Sequence, residues 1–327
     1  MGMKSNLRRS FERVQQIPGV LTAVALVVLL IVFGCLNKNF LSASNILTIL
    51  LTTSTVSYIL IGQFCCIMCG YTDMSVGNVA AFAGVIAGMT VKDYGCSVPV
   101  GILLGLLFGV LHGLVTGICI AKYNCNSWVT TYALMQVYRG VIFLITGGVP
   151  VALPGGQSYT QAFRFLGQYK LFGAIQFPIV MMIVLLAVFA FILKYTRTGR
   201  NLYCVGNSPE AARVSGINVK ATIVFGYLCV GVMSALAGIT FGSRVYSMQP
   251  NAGATYGMDT IAACVVGGTR MSGGKGNVIA AMIGLLVVYV IQNGLIMCGL
   301  DAFYHYIVTG LIMFLAVLGQ TVKVRKV

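Results

Sequence analysis

The run Asn45–Thr72, with the sequence NILTILLTTSTVSYILIGQFCCIMCGYT, contains no charged residue. A helix needs about 20 apolar residues to cross the hydrocarbon core of a bilayer, so this run is long enough to span it. Hydrophobic residues make up 58% of the 327-residue chain and charged residues only 8%, whereas a soluble domain carries about 25% charged residues. The apolar runs are continuous, which excludes the alternating strands of a membrane β-barrel. The sequence therefore predicts an all-α polytopic membrane protein.

Together with the apolar runs before and after it, this run predicts about ten transmembrane helices, with broken or short helices near a pathway. The eighth is too short to cross the bilayer, and such a segment is tolerated only where it is buried in protein or lines a cavity. The predicted spans are Ile17–Leu36, Asn45–Cys69, Ser75–Val91, Val98–Ala121, Trp128–Gly147, Leu171–Leu193, Ala221–Gly242, Met258–Gly268, Val278–Met297 and Phe303–Thr321.

The basic residues are distributed unevenly between the two sides of this ten-span arrangement. One side holds 15 of the 21 Lys and Arg residues and the other side holds five. Because Lys and Arg accumulate on the cytoplasmic side, we expect a multi-pass protein of the cell membrane with both termini in the cytoplasm. The predicted organisation is a cytoplasmic segment at 1–16, a transmembrane domain at 17–321 with a cytoplasmic loop at 194–220, and a cytoplasmic tail at 322–327.

The net charge of +15 follows from this asymmetry. No basic patch is interleaved with stacking aromatic residues, so no nucleic-acid partner is predicted. The partner that the composition itself indicates is the lipid bilayer.

Neither metal binding nor catalysis is predicted for this chain. Cys65, Cys66 and Cys69 resemble part of a metal site, but tetrahedral zinc takes four ligands, and the two histidines are far away in sequence. The segment Gly267–Gly276 resembles a phosphate-binding loop, but its spacing fails, with Thr at the position of the first glycine. No paired carboxylates or Ser/His/Asp group can be identified. We therefore expect no cofactor here, and any ATPase is another subunit.

The segment 207–217, NSPEAARVSGI, is predicted to form a short capped helix in the basic loop. Ser208 suits the N-cap, Pro209 the first helical position, and Gly216 the C-terminal stop. It is either an ordered surface turn or a helix that docks on a cytoplasmic partner. On the second interpretation the docking residues are Ser208, Pro209, Glu210, Ala211, Ala212, Arg213, Ser215 and Gly216.

Two other clusters, residues 70–78 and 259–276, combine glycines with an acid and hydroxyl groups between apolar runs. Broken helices near a translocation path have this composition, although a polar turn between two spans has it too. An acid at membrane depth either binds a coupling ion or caps a broken helix. The pathway candidates from these clusters are Asp73, Ser75, Asn78, Asp259 and Thr269.

At these residues the chain resembles the permease subunits of ribose-type (monosaccharide) ATP-binding-cassette importers. Three ordered segments carry the resemblance, and they are Gly70–Gly77, Gly199–Val219 and Asp259–Gly276. The chain departs from the family pattern at Asn126-Ser127-Trp128, where two prolines usually precede an aromatic residue, and at Gly257, which is usually Glu. Both departures lie near the expected path, so Trp128 joins the pathway candidates and the identity of the solute stays open.

The resemblance implies a set of partners. They are two cytoplasmic ATPase subunits that carry ATP and Mg, an extracytoplasmic solute-binding protein, and a second permease copy, identical or a close paralogue. The segment at 208–216 would then be the helix that couples the permease to the ATPase. The alternative interpretation is a secondary transporter driven by an ion gradient, for which the few ionisable candidates are Asp73, Arg139, Asp259 and His112.

Overall fold

The structure is a computed structural model that describes residues 19–153, 158–171, 173, 175–301 and 303–324. The predicted cytoplasmic segment at 1–16 lies outside the described residues, as do residues 325–327 of the predicted tail. The described chain forms thirteen α-helices. They are α1 (Val20–Leu36), α2 (Ala43–Met68), α3 (Val76–Lys92), α4 (Val98–Tyr123), α5 (Ser127–Thr146), α6 (Ser158–Gln168), α7 (Phe177–Tyr195), α8 (Arg197–Asn207), α9 (Pro209–Val214), α10 (Val219–Val245), α11 (Tyr256–Val266), α12 (Val278–Met297) and α13 (Tyr304–Val324).

All ten predicted spans correspond to helices. Six of them, α2, α4, α5, α7, α10 and α12, are long and apolar enough to cross a membrane. The other four are the shorter apolar helices α1, α3, α11 and the first part of α13. The eighth predicted span is α11, whose 11 residues rise only about 16 Å, so it is a broken helix as expected.

The predicted start of the sixth span is wrong. Residues Lys170–Leu171 (β2) and Ile175–Gln176 (β3) form a two-stranded antiparallel ladder, so the helix begins only at Phe177. Pro178 stands in the first turn of α7, where its missing N–H leaves no hydrogen bond unmade. The short helix α6, which precedes this ladder, had no counterpart among the predicted elements.

Helices α2 and α10 form the centre of the molecule. Every residue of α2 from Thr53 to Met68 is buried, and α10 is covered over most of its length. A helix that is apolar on all sides is expected to occupy such a central position. The largest hydrophobic cluster is built around these two helices and includes Tyr58, Phe64 and Tyr227.

Helix α4 packs against α3 and α10 through a stripe of glycines spaced four residues apart. A Cβ atom at Gly105 would lie 2.7 Å from the carbonyl oxygen of Ala83 in α3, and one at Gly113 would lie 2.6 Å from that of Tyr227 in α10. Small residues at this spacing let membrane helices approach until their backbones touch. The stripe consists of Gly101, Gly105, Gly109, Gly113 and Gly117.

Contacts between loops agree with the predicted alternation of sides. At one end, Val151–Ala152 (β1) pairs with Ser247–Met248 (β4). At the other end, the Gly274 N–H donates to the Met68 carbonyl at 3.0 Å. Each contact joins two loops that the ten-span arrangement puts on the same side. The second end, which holds the loops 69–75, 124–126, 196–218 and 267–277, is hereafter called the basic end.

Candidate functional site

The capped helix predicted in the basic loop is confirmed as α9. The Ser208 hydroxyl oxygen accepts a hydrogen bond from the Ala211 N–H at 3.2 Å, and Pro209 begins the helix. At the other end, Gly216 adopts a φ of +82°. The Ile217 N–H donates to the Ala212 carbonyl and the Gly216 N–H to the Arg213 carbonyl, both at 3.0 Å. This pair of bonds is the Schellman C-cap, in which a left-handed residue is usually Gly.

The helix presents only part of its surface to the outside. Ala212 is 3% exposed and packs into the chain's own central cluster, so its methyl group is not available to a partner. Glu210, Ala211, Arg213 and Ser215 are exposed. Val214, which sequence reasoning missed, is 87% exposed. A six-residue helix is too short for its sequence periodicity to show which face packs inward, so that face is known only from the surrounding structure.

Directly before α9, helix α8 ends in a tight contact among three glycine-containing segments. A Cβ atom at Gly206 would overlap the Met68 carbonyl, and one at Gly273 would lie 2.6 Å from the Gly70 nitrogen and 2.9 Å from the Gly206 Cα. Gly70, Gly273 and Gly274 have φ angles of +86°, +87° and +73°, which glycine adopts without strain. We call Gly70, Gly206, Gly273 and Gly274 the glycine junction.

Hydrogen bonds hold the two sides of the glycine junction together. Besides the bond from Gly274 to Met68, the Asn207 side-chain amide donates to the Gly274 carbonyl at 3.3 Å. The Tyr203 hydroxyl donates to the Gly276 carbonyl at 3.2 Å. Burial raises the pKa of Tyr203 to about 12, so this hydroxyl keeps its proton at neutral pH. The segment that ends in α9 is therefore tied to the end of α2 and to the loop before α12.

After Gly70, the chain forms a non-helical turn beside α2, and α3 begins only after this turn. We therefore describe α3 as a broken helix. The backbone groups of this turn are satisfied by side chains from three helices, as a non-helical segment at membrane depth requires. Gln63 of α2 donates to the Asp73 carbonyl at 3.2 Å, and Tyr227 of α10 donates to the Thr72 carbonyl at 3.2 Å. The Met74 N–H donates to the Thr131 hydroxyl of α5 at 3.1 Å.

The carboxylate of Asp73 is fully buried at this break. Its Oδ1 accepts from the Ser75 N–H at 2.7 Å and from the Ser75 hydroxyl at 2.6 Å. Its Oδ2 lies within hydrogen-bond distance of His112 Nε2, at 3.0 Å. His112 Nδ1 lies 3.0 Å from the Tyr138 hydroxyl. Asp73 thus holds Ser75, the residue that precedes α3, and links it through His112 to α4 and, through Tyr138, to α5.

A second break precedes α11, and it touches the first. A Cβ atom at Gly257 would lie 3.2 Å from the Met74 carbonyl, and one at Gly253 would lie 3.0 Å from the Gly77 Cα. The N-termini of α3 and α11 therefore meet inside the protein. Half-helices that meet in this way mark the binding region of many transporters. The family that the sequence resembles usually has Glu at position 257. The Gly found here allows the backbone of α11 to lie close to Met74.

Asp259, in the first turn of α11, also pairs with a histidine. Its Oδ1 lies 3.3 Å from His305 Nε2 of α13, and both side chains are nearly fully buried. The Thr309 hydroxyl lies 3.2 Å from the other ring nitrogen of His305. Both histidines of the chain are thus paired with an aspartate at a helix break. This pairing was not predicted from the sequence. The rarity of both residue types, two histidines and six acids in 327 residues, was a signal that could have suggested it.

The remaining pathway candidates are divided between two places. Asn78 lies near the first break, where its amide donates to the Met135 carbonyl of α5 at 2.7 Å, and Trp128 at the start of α5 is 44% exposed. Thr269 is buried in the loop at the basic end, where its N–H donates to the Cys264 carbonyl, so it is not brought to the meeting point of α3 and α11.

Within the described residues, no three His, Cys, Asp or Glu side chains are arranged to hold a metal ion.

Comparison with known proteins agrees with this architecture. Residues 45–317 match the family model described as the permease component of branched-chain amino acid transport systems. The chain is 37% identical over 296 residues to the ribose import permease protein RbsC of Bacillus subtilis (strain 168), covering 90% of each chain. It is 34% identical over 314 residues to the L-arabinose transport system permease protein AraH of Escherichia coli (strain K12), covering 96% of this chain and 93% of the relative.

No solved structure is significantly similar to the chain. The family match covers most of the sequence and includes all three segments that meet at the glycine junction or the helix breaks. These segments are also the ones that carried the resemblance in the sequence. The chain therefore belongs to the family of multi-pass membrane permease components described for branched-chain amino acid transport systems.

Proposed function

We propose that this chain is the membrane permease of an ATP-binding-cassette importer that translocates a monosaccharide or a related small polar solute. Separate ATPase subunits, which bind ATP and Mg, power the transport, and an extracytoplasmic binding protein delivers the solute. Two permease copies, identical or closely paralogous, enclose the path. Ribose and arabinose, named for two relatives, are the first solutes to test.

The observation that carries this proposal is the glycine junction. It ties the exposed helix α9, through α8, to the turn that leads to Asp73 and to the loop that follows α11. Backbone atoms in direct contact cannot yield by changing rotamers, so a displacement of α8 and α9 moves both breaks together. Movement of a docked ATPase is in this way transmitted to the point where α3 and α11 meet. By linkage, a solute that favours one state of the breaks also alters ATPase binding.

We further propose that α9 is the docking element, through its exposed residues. Val214 is an exposed apolar side chain at the end of a rigid, doubly capped helix, and Glu210 and Arg213 stand beside it. An exposed apolar side chain with charged neighbours fits an interface that has an apolar core and a polar rim. Ala212 has the separate task of packing α9 onto the permease.

The docking proposal is tested with Val214→Asp. Burying an unpaired carboxylate against the ATPase costs several kcal/mol, so the variant is expected to insert into membranes normally but lose the ATPase on purification. Tyr123→Asp is the matched control, because it introduces the same charge at another exposed position of the basic end. If Val214→Asp retains the ATPase and supports normal uptake, α9 is not the docking element.

The orientation of the chain is part of the proposal, with the basic end and both termini in the cytoplasm. The supporting observation is the accumulation of Lys and Arg at that end. Two exposed native cysteines report on it without mutation, since Cys96 lies between α3 and α4 and Cys204 lies in α8. In intact cells, an impermeant maleimide should label Cys96 and leave Cys204 unlabelled until the membrane is permeabilised.

A further inference from the structure

Helix α5 is the spanning helix least covered by its own chain. Only Thr131 and Ile142 of its 20 residues are buried. The covered side follows Thr131, Met135, Tyr138 and Ile142, and it is tied to the first helix break through the bonds from Met74 to Thr131 and from Asn78 to Met135. Any movement of that break is therefore passed directly to α5.

The uncovered surface of α5 has two different sides. One side is apolar and suits lipid, with Val137 and Leu144 exposed by 56% and 84%. The other side carries residues at helical spacings of four, four, three and four, which place them on one face. They are Trp128, Tyr132, Gln136, Arg139 and Phe143, and we call them the α5 stripe.

Arg139 shows that the α5 stripe does not face lipid. It is exposed and lies about 18 Å from the start of α5, near mid-membrane. Within the described part of the chain no carboxylate pairs with it, and its guanidinium stands 5.9 Å from the centre of the Phe143 ring. A charged side chain at this depth faces a water-filled cavity or another protein, because lipid cannot solvate it.

A dry contact with a second copy of the chain fits the stripe poorly. In a two-fold interface the same patch meets itself, and because the α5 stripe contains no carboxylate, Arg139 would be buried there without a counter-charge, which is costly. A water-filled space between two copies removes this difficulty, since each stripe then faces water. The composition also suits a sugar, because aromatic rings cover its C–H faces while amide and guanidinium groups donate to its hydroxyls.

We propose that the α5 stripe is the sugar-facing wall of the translocation path, with Gln136 and Arg139 donating hydrogen bonds to the hydroxyl groups of the passing solute. Trp128 and Tyr132 contact its apolar face nearer the basic end. This inference rests on the proposed function and adds to it the residues that meet the solute. Because α5 is bonded to the first break, the ATP cycle moves this wall.

The first test measures water access in the assembled complex in vesicles. Gln136→Cys and Val137→Cys are adjacent in sequence but lie on the stripe and on the lipid side, respectively. Each is treated with a charged methanethiosulfonate reagent, and peptide mass spectrometry separates the new cysteine from the native ones. We expect rapid modification at 136, slowed by ribose with the binding protein, and little at 137. Equal rates at the two positions, or cross-linking of two copies through 136 without modification, would overturn the proposal.

The second test measures transport in the same vesicles. Arg139→Leu removes the charge-assisted donors, and uptake is expected to fall about tenfold or more, while the purified complex retains its subunits. Val137→Leu is the control and should transport like the wild type. If the wild type shows no ATP-dependent sugar uptake, the proposed function itself fails. If the wild type transports and Arg139→Leu transports equally well, only the assignment of the wall fails.

Discussion

Replacing Gly206 by Ala is the perturbation that examines the glycine junction most closely. The added Cβ would overlap the Met68 carbonyl and lie 2.5 Å from the Gly274 nitrogen. Both neighbours are backbone atoms, so neither can move aside by changing a rotamer. Overpacking of this kind typically costs about 1–3 kcal/mol, and loss of the Gly274–Met68 hydrogen bond adds about 1 kcal/mol. We therefore expect destabilisation of about 2–4 kcal/mol.

The assay has two readouts, thermal unfolding of the purified permease with its ATPase and the number of ATP molecules hydrolysed per sugar transported. Gly206→Ala should unfold at a lower temperature and hydrolyse more ATP per sugar, because α8 no longer moves with the breaks. Gly226→Ala is the matched control. The nearest atoms to its new Cβ stand at 3.5 Å, and Ala in a helix interior is favourable by up to about 1 kcal/mol.

Asn207→Ala keeps the outcome interpretable if Gly206→Ala fails to fold. It removes the hydrogen bond to the Gly274 carbonyl and adds no volume, so the fold should persist with a smaller loss of coupling. If Gly206→Ala matches the wild type in both stability and coupling, the glycine junction does not couple α8 to the helix breaks. The same conclusion follows if Gly226→Ala is the more damaging of the two glycine substitutions.

Further predictions concern the aspartates and the terminal cap. Asp73→Asn keeps an acceptor for the Ser75 N–H, so ATP-dependent uptake should largely survive. Asp73→Leu removes that acceptor and the carboxylate partner of His112, and it should cost several kcal/mol of stability, measured by thermal unfolding. Asp259→Asn and Asp259→Leu should differ in the same direction in reconstituted uptake. Dead Asn variants would favour ion coupling instead. Gly216→Ala forces a side chain to a φ of +82° and should lower retention of the ATPase without blocking membrane insertion.

Much of the fold follows from local features of the sequence. A helix that crosses a bilayer needs about 20 predominantly apolar residues, and the apolar runs of the sequence predicted the ten helices. The caps of α9 were also predictable, because Ser208, Pro209 and Gly216 act on neighbouring backbone groups. The start of α7 was missed because the ladder before it depends on pairing between Lys170 and Gln176, which no local pattern indicates.

The arrangement of the candidate site depends on contacts between distant residues. Asp73 and His112 are 39 residues apart, and no periodicity connects the start of α3 with α4 in advance. The inward direction of Ala212 is likewise set by the cluster it packs into, not by α9 itself. The three segments of the glycine junction could be recognised separately from their composition. That they touch is a property of the folded chain.

ATP-driven import is tested most directly by measuring solute uptake by the complex of this chain with its ATPase and binding protein. The complex is reconstituted in vesicles without any ion gradient. The probe is radiolabelled ribose, with arabinose in parallel. We predict accumulation that requires both ATP hydrolysis and the binding protein, and none with a non-hydrolysable ATP analogue. Uptake that proceeds without ATP and appears only when a proton or sodium gradient is imposed would show that the chain is an ion-coupled transporter and not an importer permease.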